Sequence, residues 1–255
     1  MTRYLDSPAP RAFAHRGWHT CDLAGLENSM AAFGRAVEEG YRYLETDVHA
    51  TKDGVLVAFH DAVLDRVSDG SGPIATQTWD QIRHARIDGR EPIPLFAEVL
   101  ANFPDAMFNI DPKSDAAVGP LIDVLADAGA QDRVCLGSFS GKRLAALRAA
   151  LGPSVATSLA PGEVLPLVGP AAIFSGKRLS ALGAVAAQVP VHYGVLPIVT
   201  RKFVERAHRS GLEVHVWTID DPAEMHRLLD LGADAIMTDR PDVLREVYSE
   251  RDVWR

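Results

Sequence analysis

Two histidines, four carboxylates and two cations stand in or at the ends of short apolar runs of this chain. His15, Arg16 and Gly17 close the run AFAHRG, Glu45 and Asp47 lie within YLETDV, and His60 and Asp61 end VLVAFHD. Asp111 and Lys113 end AMFNIDPK. Side chains two apart in a strand point to the same face, so Glu45 and Asp47 share one. Two carboxylates on one face of a buried strand repel unless one is protonated or a cation sits between them. Tyr43, Leu44 and Val48 flank the pair and argue against a solvated strand edge. A hard divalent ion with oxygen ligands suits such a pair, and Asp111 is the candidate third ligand.

His15 taken alone reads as a structural histidine. His60, which also ends an apolar run, changes that reading. Two imidazoles whose ordinary pKa lies near neutrality suit paired general acid and base roles. Arg16 and Lys113 would then hold a phosphate, although either one in isolation reads as a surface charge. Local cations matter here because the 255 residues carry a formal net charge of −8. No broad basic face is expected to attract nucleic acid or an anionic membrane.

The elements that must position these groups are legible as an alternation. Apolar strand-like runs at 12–17, 43–48, 55–61, 106–113, 133–139, 154–159, 184–191, 213–219 and 234–239 are separated by amphipathic stretches. Most runs are apolar nearly throughout, the pattern of parallel strands buried on both faces. Helices are expected over 28–39, 115–128, 141–151, 201–210 and 222–231, each stopping at or just before a glycine. The period of about 25 to 35 residues and some eight units predict one α/β domain over 1–255, a closed (β/α)8 barrel rather than an open sheet. Residues 61–94 hold too many polar and turn residues for one unit and predict a small insertion after the second strand. Residues 160–190 are rich in Pro, Gly and Ala, and the sixth strand has no clear place there. Cys21 and Cys135 are expected as free thiols. The N-terminal residues lack a signal-like apolar core, and no run approaches the length of a spanning helix, so the expected location is the cytoplasm.

Together these residues resemble the glycerophosphodiester phosphodiesterase family. The resemblance runs through HRG (15–17), ENS (27–29), ETDVHATKDGVLVAFHD (45–61), LDR (64–66), IPLFAEVL (93–100), NIDPK (109–113), VWTIDD (216–221) and GADAIMTDRP (232–241). It implies a TIM barrel with a small insertion after the second strand. It also implies Glu45, Asp47 and Asp111 as ligands of a divalent cation, Mg2+ or Ca2+, and His15 and His60 as the acid–base pair. Arg16 and Lys113 would touch the phosphate, and Trp217 would pack against the glycerol or the site wall. The chain departs from the family pattern twice. Asp111 stands where a longer Glu is usual, and Leu26 stands where Pro commonly precedes the Glu-Asn pair.

The implied reaction is hydrolysis of a small-molecule glycerophosphodiester to sn-glycerol 3-phosphate and an alcohol, with no role for histidine order or oligomeric state fixed by the residues. A phospholipase D of the sphingomyelinase type shares the barrel and the histidine pair, but resembles secreted, disulfide-bearing proteins. A degenerate barrel that binds phosphodiesters without turning them over is the non-enzymatic alternative.

Overall fold

In the computed structural model, which describes residues 2–168 and 183–254, eight parallel strands close a barrel. They are β1 (Arg11–His15), β2 (Tyr43–Ala50), β3 (Met107–Pro112), β4 (Val134–Leu136), β5 (Ala156–Ser158), β6 (Ala184–Val189), β7 (Glu213–Val216) and β8 (Ala235–Thr238). Each pairs with the next in the chain, and β1 pairs with both β2 and β8, which closes the ring. The expected (β/α)8 barrel is therefore the observed fold. The strand β6 lies inside the stretch 160–190, of which residues 169–182 are outside the described residues.

Helices α1 (Met30–Glu38), α2 (Phe96–Asn102), α3 (Val118–Asp127), α4 (Gly141–Leu151), α5 (Pro161–Val168), α6 (Arg201–Arg209), α7 (Pro222–Leu231) and α8 (Pro241–Glu250) follow the strands. Their starts are written locally. Ser29 accepts the Ala32 N–H at 3.1 Å, and Asp221 accepts the Glu224 N–H at 2.8 Å ahead of Pro222, each satisfying an amide with no partner inside the helix. α2, α5 and α8 were not among the helices expected from glycine stops.

Alternation along each strand divides the apolar residues into two layers. Phe13, Tyr43, Met107, Cys135 and Ala235 fill the barrel interior, with Tyr4 packed beneath them. Leu44, Val48, Phe108, Ile110 and Ile236 point outward and pack under the helices. Burying each large side chain stabilises by roughly 1.5–3 kcal/mol.

The run 55–61 departs from the expected alternation. Residues Leu56–Ala58 form a strand, but it pairs antiparallel with β2, Val48 opposite Ala58. The chain reverses over Thr51–Val55, where Thr51 Oγ1 accepts the Val55 N–H at 2.9 Å. A reversal this short can only make an antiparallel pair, because parallel strands need a crossover of a dozen residues or more. Residues 61–94 then carry a helical turn, Trp79–Ile82, and a hairpin of Arg86–Ile87 with Glu91–Pro92. Leu26, Val57, Phe59, Leu64, Ile74 and Ile87 give this insertion a small core of its own. That core fixes the segment leading into His60.

Cys21 is exposed and Cys135 buried, and neither is in a disulfide. Among the described residues, no helix is long and apolar enough to cross a membrane.

Candidate active site

All eight side chains singled out in the sequence line one cavity of about 540 Å³ at the C-terminal ends of the strands, where barrels of this kind build their sites. β1 ends on His15, and Arg16 leaves the strand in the left-handed region at φ 56. The Arg16 N–H donates to the Glu45 carbonyl at 3.0 Å and anchors this turn to β2. Gly17 follows at φ 84, where a Cβ would come within 2.8 Å of the Ala32 carbonyl carbon. Only glycine admits α1 this closely.

Asp47 and Asp111 are register partners on β2 and β3. Lys113 Nζ bridges them, 2.6 Å from Asp47 Oδ1 and 2.8 Å from Asp111 Oδ2. Arg16 Nε lies 3.3 Å from the other Asp47 oxygen, and Asn28 Nδ2 donates to that oxygen at 3.2 Å. Burial pushes the Asp47 carboxyl up, but Lys113 and Arg16 outweigh it and hold the group below its ordinary range. Lys113 answers in kind. Burial alone would lower it, and the two aspartates raise it instead. Asp111 remains raised, because its burial outweighs the Lys113 contact.

Glu45 is 6% exposed and is neutralised far less. Its Oε2 accepts the Arg16 N–H at 3.3 Å and lies 3.6 Å from His15 Nε2. Burial, and then the Asp47 charge, push Glu45 up to about 7. The two carboxylates that look alike in the sequence are therefore unlike in the fold: one is paired with cations and the other is not.

Both histidines are held at Nδ1. His15 Nδ1 lies 2.6 Å from Asp239 Oδ1, and His60 Nδ1 lies 2.6 Å from Asp61 Oδ1. Burial lowers the pKa of His15, yet Glu45 and Asp239 outweigh it and the net direction is upward. Burial works against the charge of Asp239, but hydrogen bonds from His15 and from His19, 3.2 Å away, hold it well below the carboxylate range. Arg66, and then His60, do the same for Asp61. Arg66 spans Asp61 and Glu27 at 2.6 and 2.7 Å, and Glu27 also accepts from Arg16 at 3.0 Å. Trp217 meets Phe139 edge to face, ring centroids 5.7 Å apart, on another wall of the cavity.

Sequence reasoning gave no role in the site to Asp239, Asn28, Glu27 or Arg66, although each falls within a stretch it quoted; Asn28 was a candidate N-cap of α1 beside Ser29, and Ser29 takes that place. Asp239 had a usable signal, since it directly follows the last barrel strand. Asn28 had none; its left-handed backbone, φ 59, and its contacts to Thr46 and Asp47 exist only in the fold.

Among the described residues, no three His, Cys, Asp or Glu side chains converge as a ready metal cage, and Lys113 Nζ stands between Asp47 and Asp111. The donor chemistry still suits a hard divalent cation. It offers carboxylate oxygens, and buried Glu45 has a charge that needs a counter-ion.

The profile of the Glycerophosphoryl diester phosphodiesterase family matches residues 15–243. A protein of Mycobacterium tuberculosis described as probable glycerophosphodiester phosphodiesterase 2 is 37% identical over 249 residues, covering 95% of this chain and 92% of its own. A glycerophosphodiester phosphodiesterase of Caldanaerobacter subterraneus is 29% identical, covering 91% and 94%. Among solved structures, a glycerophosphodiester phosphodiesterase from Parabacteroides distasonis superposes with a TM-score of 0.77 at 22% identity, covering 96% of this chain and 100% of the other. An Oleispira antarctica phosphodiesterase solved with the product sn-glycerol-3-phosphate gives 0.78 at 22%, covering 94% and 97%. These structural likenesses concern the fold.

Proposed function

Because the chain belongs to the glycerophosphoryl diester phosphodiesterase family, we propose that it hydrolyses glycerophosphodiesters to sn-glycerol 3-phosphate and an alcohol, with His15 and His60 as the acid–base pair. The observation that carries this reading is the pair of imidazoles, each anchored to a carboxylate at 2.6 Å, bordering one cavity that also holds Arg16 and Lys113.

A carboxylate only accepts, so Nδ1 of each histidine bears the hydrogen and Nε2 is the working nitrogen. One imidazole takes the proton of the nucleophile at Nε2, and the other, protonated, gives its Nε2 proton to the departing alcohol oxygen. With the neighbouring glycerol hydroxyl as nucleophile, its oxygen bonds to phosphorus as the bond to the alcohol breaks. Water then opens the resulting cyclic phosphate with the two histidines in exchanged roles. Arg16 and Lys113 present fixed positive charge to the phosphoryl oxygens, Lys113 held in place by its two aspartates. Trp217 walls the glycerol side. Glu45, Asp47 and Asp111 would hold a divalent cation, Mg2+ or Ca2+, which when bound neutralises charge on the phosphoryl oxygens. Two free thiols suit a reducing compartment, and the cytoplasm is the location proposed.

The test is release of sn-glycerol 3-phosphate from a panel of glycerophosphodiesters supplied with Mg2+, Ca2+ or Mn2+. Turnover that His15→Ala and His60→Ala each abolish supports the reading. Tight binding without turnover across the panel would replace it with a phosphodiester-binding barrel.

A further inference from the structure

The carboxylates that hold the two histidines are themselves held differently. Asp239 Oδ1 is shared between His15 Nδ1 and His19 Nε2, whereas Asp61 is gripped by a guanidinium. Arg66 Nε donates to Asp61 Oδ2 at 2.6 Å, and Arg66 Nη2 donates at 3.0 Å to Oδ1, the oxygen that also meets His60 Nδ1. The same guanidinium donates twice to Glu27, from Nη1 at 3.0 Å and from Nη2 at 2.7 Å. Glu27 is in turn fixed from within. Its side chain is only 12% exposed, and its Oε1 accepts from Arg16 Nη1 at 3.0 Å. One chain of contacts therefore runs from His60 through Asp61, Arg66 and Glu27 to Arg16.

His60 needs such support more than His15 does. Its side chain is 32% exposed against 15% for His15, and its carboxylate partner is its own neighbour in the chain. An isolated pair of partly exposed groups holds its geometry poorly, because water competes for both. The backbone here is already fixed: the Phe59 N–H donates to the Asp47 carbonyl at 2.9 Å, and His49 Nε2 donates to the His60 carbonyl at 3.0 Å. What is left to fix is the turn of the imidazole, which follows the plane of the Asp61 carboxylate. A guanidinium donating to both oxygens sets that plane, since its donors form a rigid fork. Arg66 lies between Leu64 and Val67, which belong to or pack on the insertion's own core, so the fork reaches out from a fixed base. We propose that Arg66 is a positioning residue for the reaction: locked between Glu27 and Asp61, it holds the His60 ring so that Nε2 faces the phosphodiester. This role rests on the phosphodiesterase reading above and gives the insertion a part in the chemistry.

The test is hydrolysis of glycerophosphocholine with Mg2+ by wild type, Arg66→Gln, Arg66→Lys, Asp61→Asn and the double variant Arg66→Gln/Asp61→Asn, with a thermal melt of each. Arg66→Gln is expected to lose up to about 10²-fold in kcat, the scale of a small misplacement of a reacting group. Its Tm should change little, because the Arg66 side chain is 48% exposed. Arg66→Lys keeps the charge but not the fork, and its kcat should fall between those of wild type and Arg66→Gln. The double variant should be no slower than Asp61→Asn alone, because Arg66 acts through Asp61. A second readout needs no turnover: the imidazole nitrogen resonances of His60, read by NMR on the folded protein, should move in Arg66→Gln. Wild-type kcat in Arg66→Gln, full recovery in Arg66→Lys, losses that multiply in the double variant, or unmoved His60 resonances would each overturn the positioning role and leave the phosphodiesterase reading standing. No hydrolysis by wild type overturns both.

Discussion

Glu45→Gln should stabilise the metal-free protein, and do so most at neutral and alkaline pH. Glu45 is buried and pushed from 4.5 up to about 7 by burial and by Asp47. The folded state therefore binds this proton more tightly than the unfolded state does. The stability Glu45 contributes is complete below about pH 4.5 and is lost as pH rises through about 7. Beyond that, the ionised carboxylate costs about 3 kcal/mol, at about 1.4 kcal/mol per pH unit between the two values. Glutamine keeps the shape, can accept the Arg16 N–H and carries no charge. At pH 8 in chelator, Glu45→Gln should gain about 3 kcal/mol, or about 6–12 °C in Tm at this chain length. At pH 5.5 the gain should shrink to about 1 kcal/mol. Calorimetric melts at both pH values, with chelator and then with Mg2+, make the measurement. Mg2+ should raise the wild-type Tm and leave the variant nearly unmoved, while activity is lost in the variant. A variant no more stable than wild type at pH 8, or equally stabilised at both pH values, would refute the argument that Glu45 is the un-neutralised member of the pair.

His15→Ala and His60→Ala should each lose on the order of 10² to 10⁴ in kcat with little change in Tm, which steady-state assays and melts together will show. Asp239→Asn removes the carboxylate that holds His15 Nδ1 and should lower kcat by about 10- to 10⁴-fold and shift the pH–rate profile; an unchanged profile would leave Asp239 without a positioning role. Chelation should abolish turnover. Asp111→Glu should shift the preference between Mg2+ and Ca2+, read by isothermal titration, whereas unchanged affinity in both Asp111→Glu and Asp111→Ala would remove Asp111 from the ion's surroundings. Asn28→Ala should cost about 1–3 kcal/mol, because it strands Thr46 and Asp47 partners and strains a left-handed backbone position, a loss that denaturant melts will register.

The sequence alone was enough for the barrel and for eight side chains that the fold gathers around one cavity. Strand-like runs and glycine stops are local signals, set by side-chain alternation and backbone preference over a few residues. Polar residues at the ends of parallel strands gather at one rim, which is why His15, Arg16, Glu45, Asp47, His60, Asp111, Lys113 and Trp217 are legible in the sequence. The run 55–61 misled for the same reason: its composition is that of a strand, and direction is decided by the turn before it. Only the tertiary structure decided which of two like carboxylates carries the unpaired charge. Lys113 reaches Asp47 from the neighbouring strand β3, and Asp239 reaches His15 from 224 residues away. The state of a buried charge is a sum over everything within a few ångströms, and that neighbourhood is assembled by the closing of the barrel rather than by adjacency along the chain.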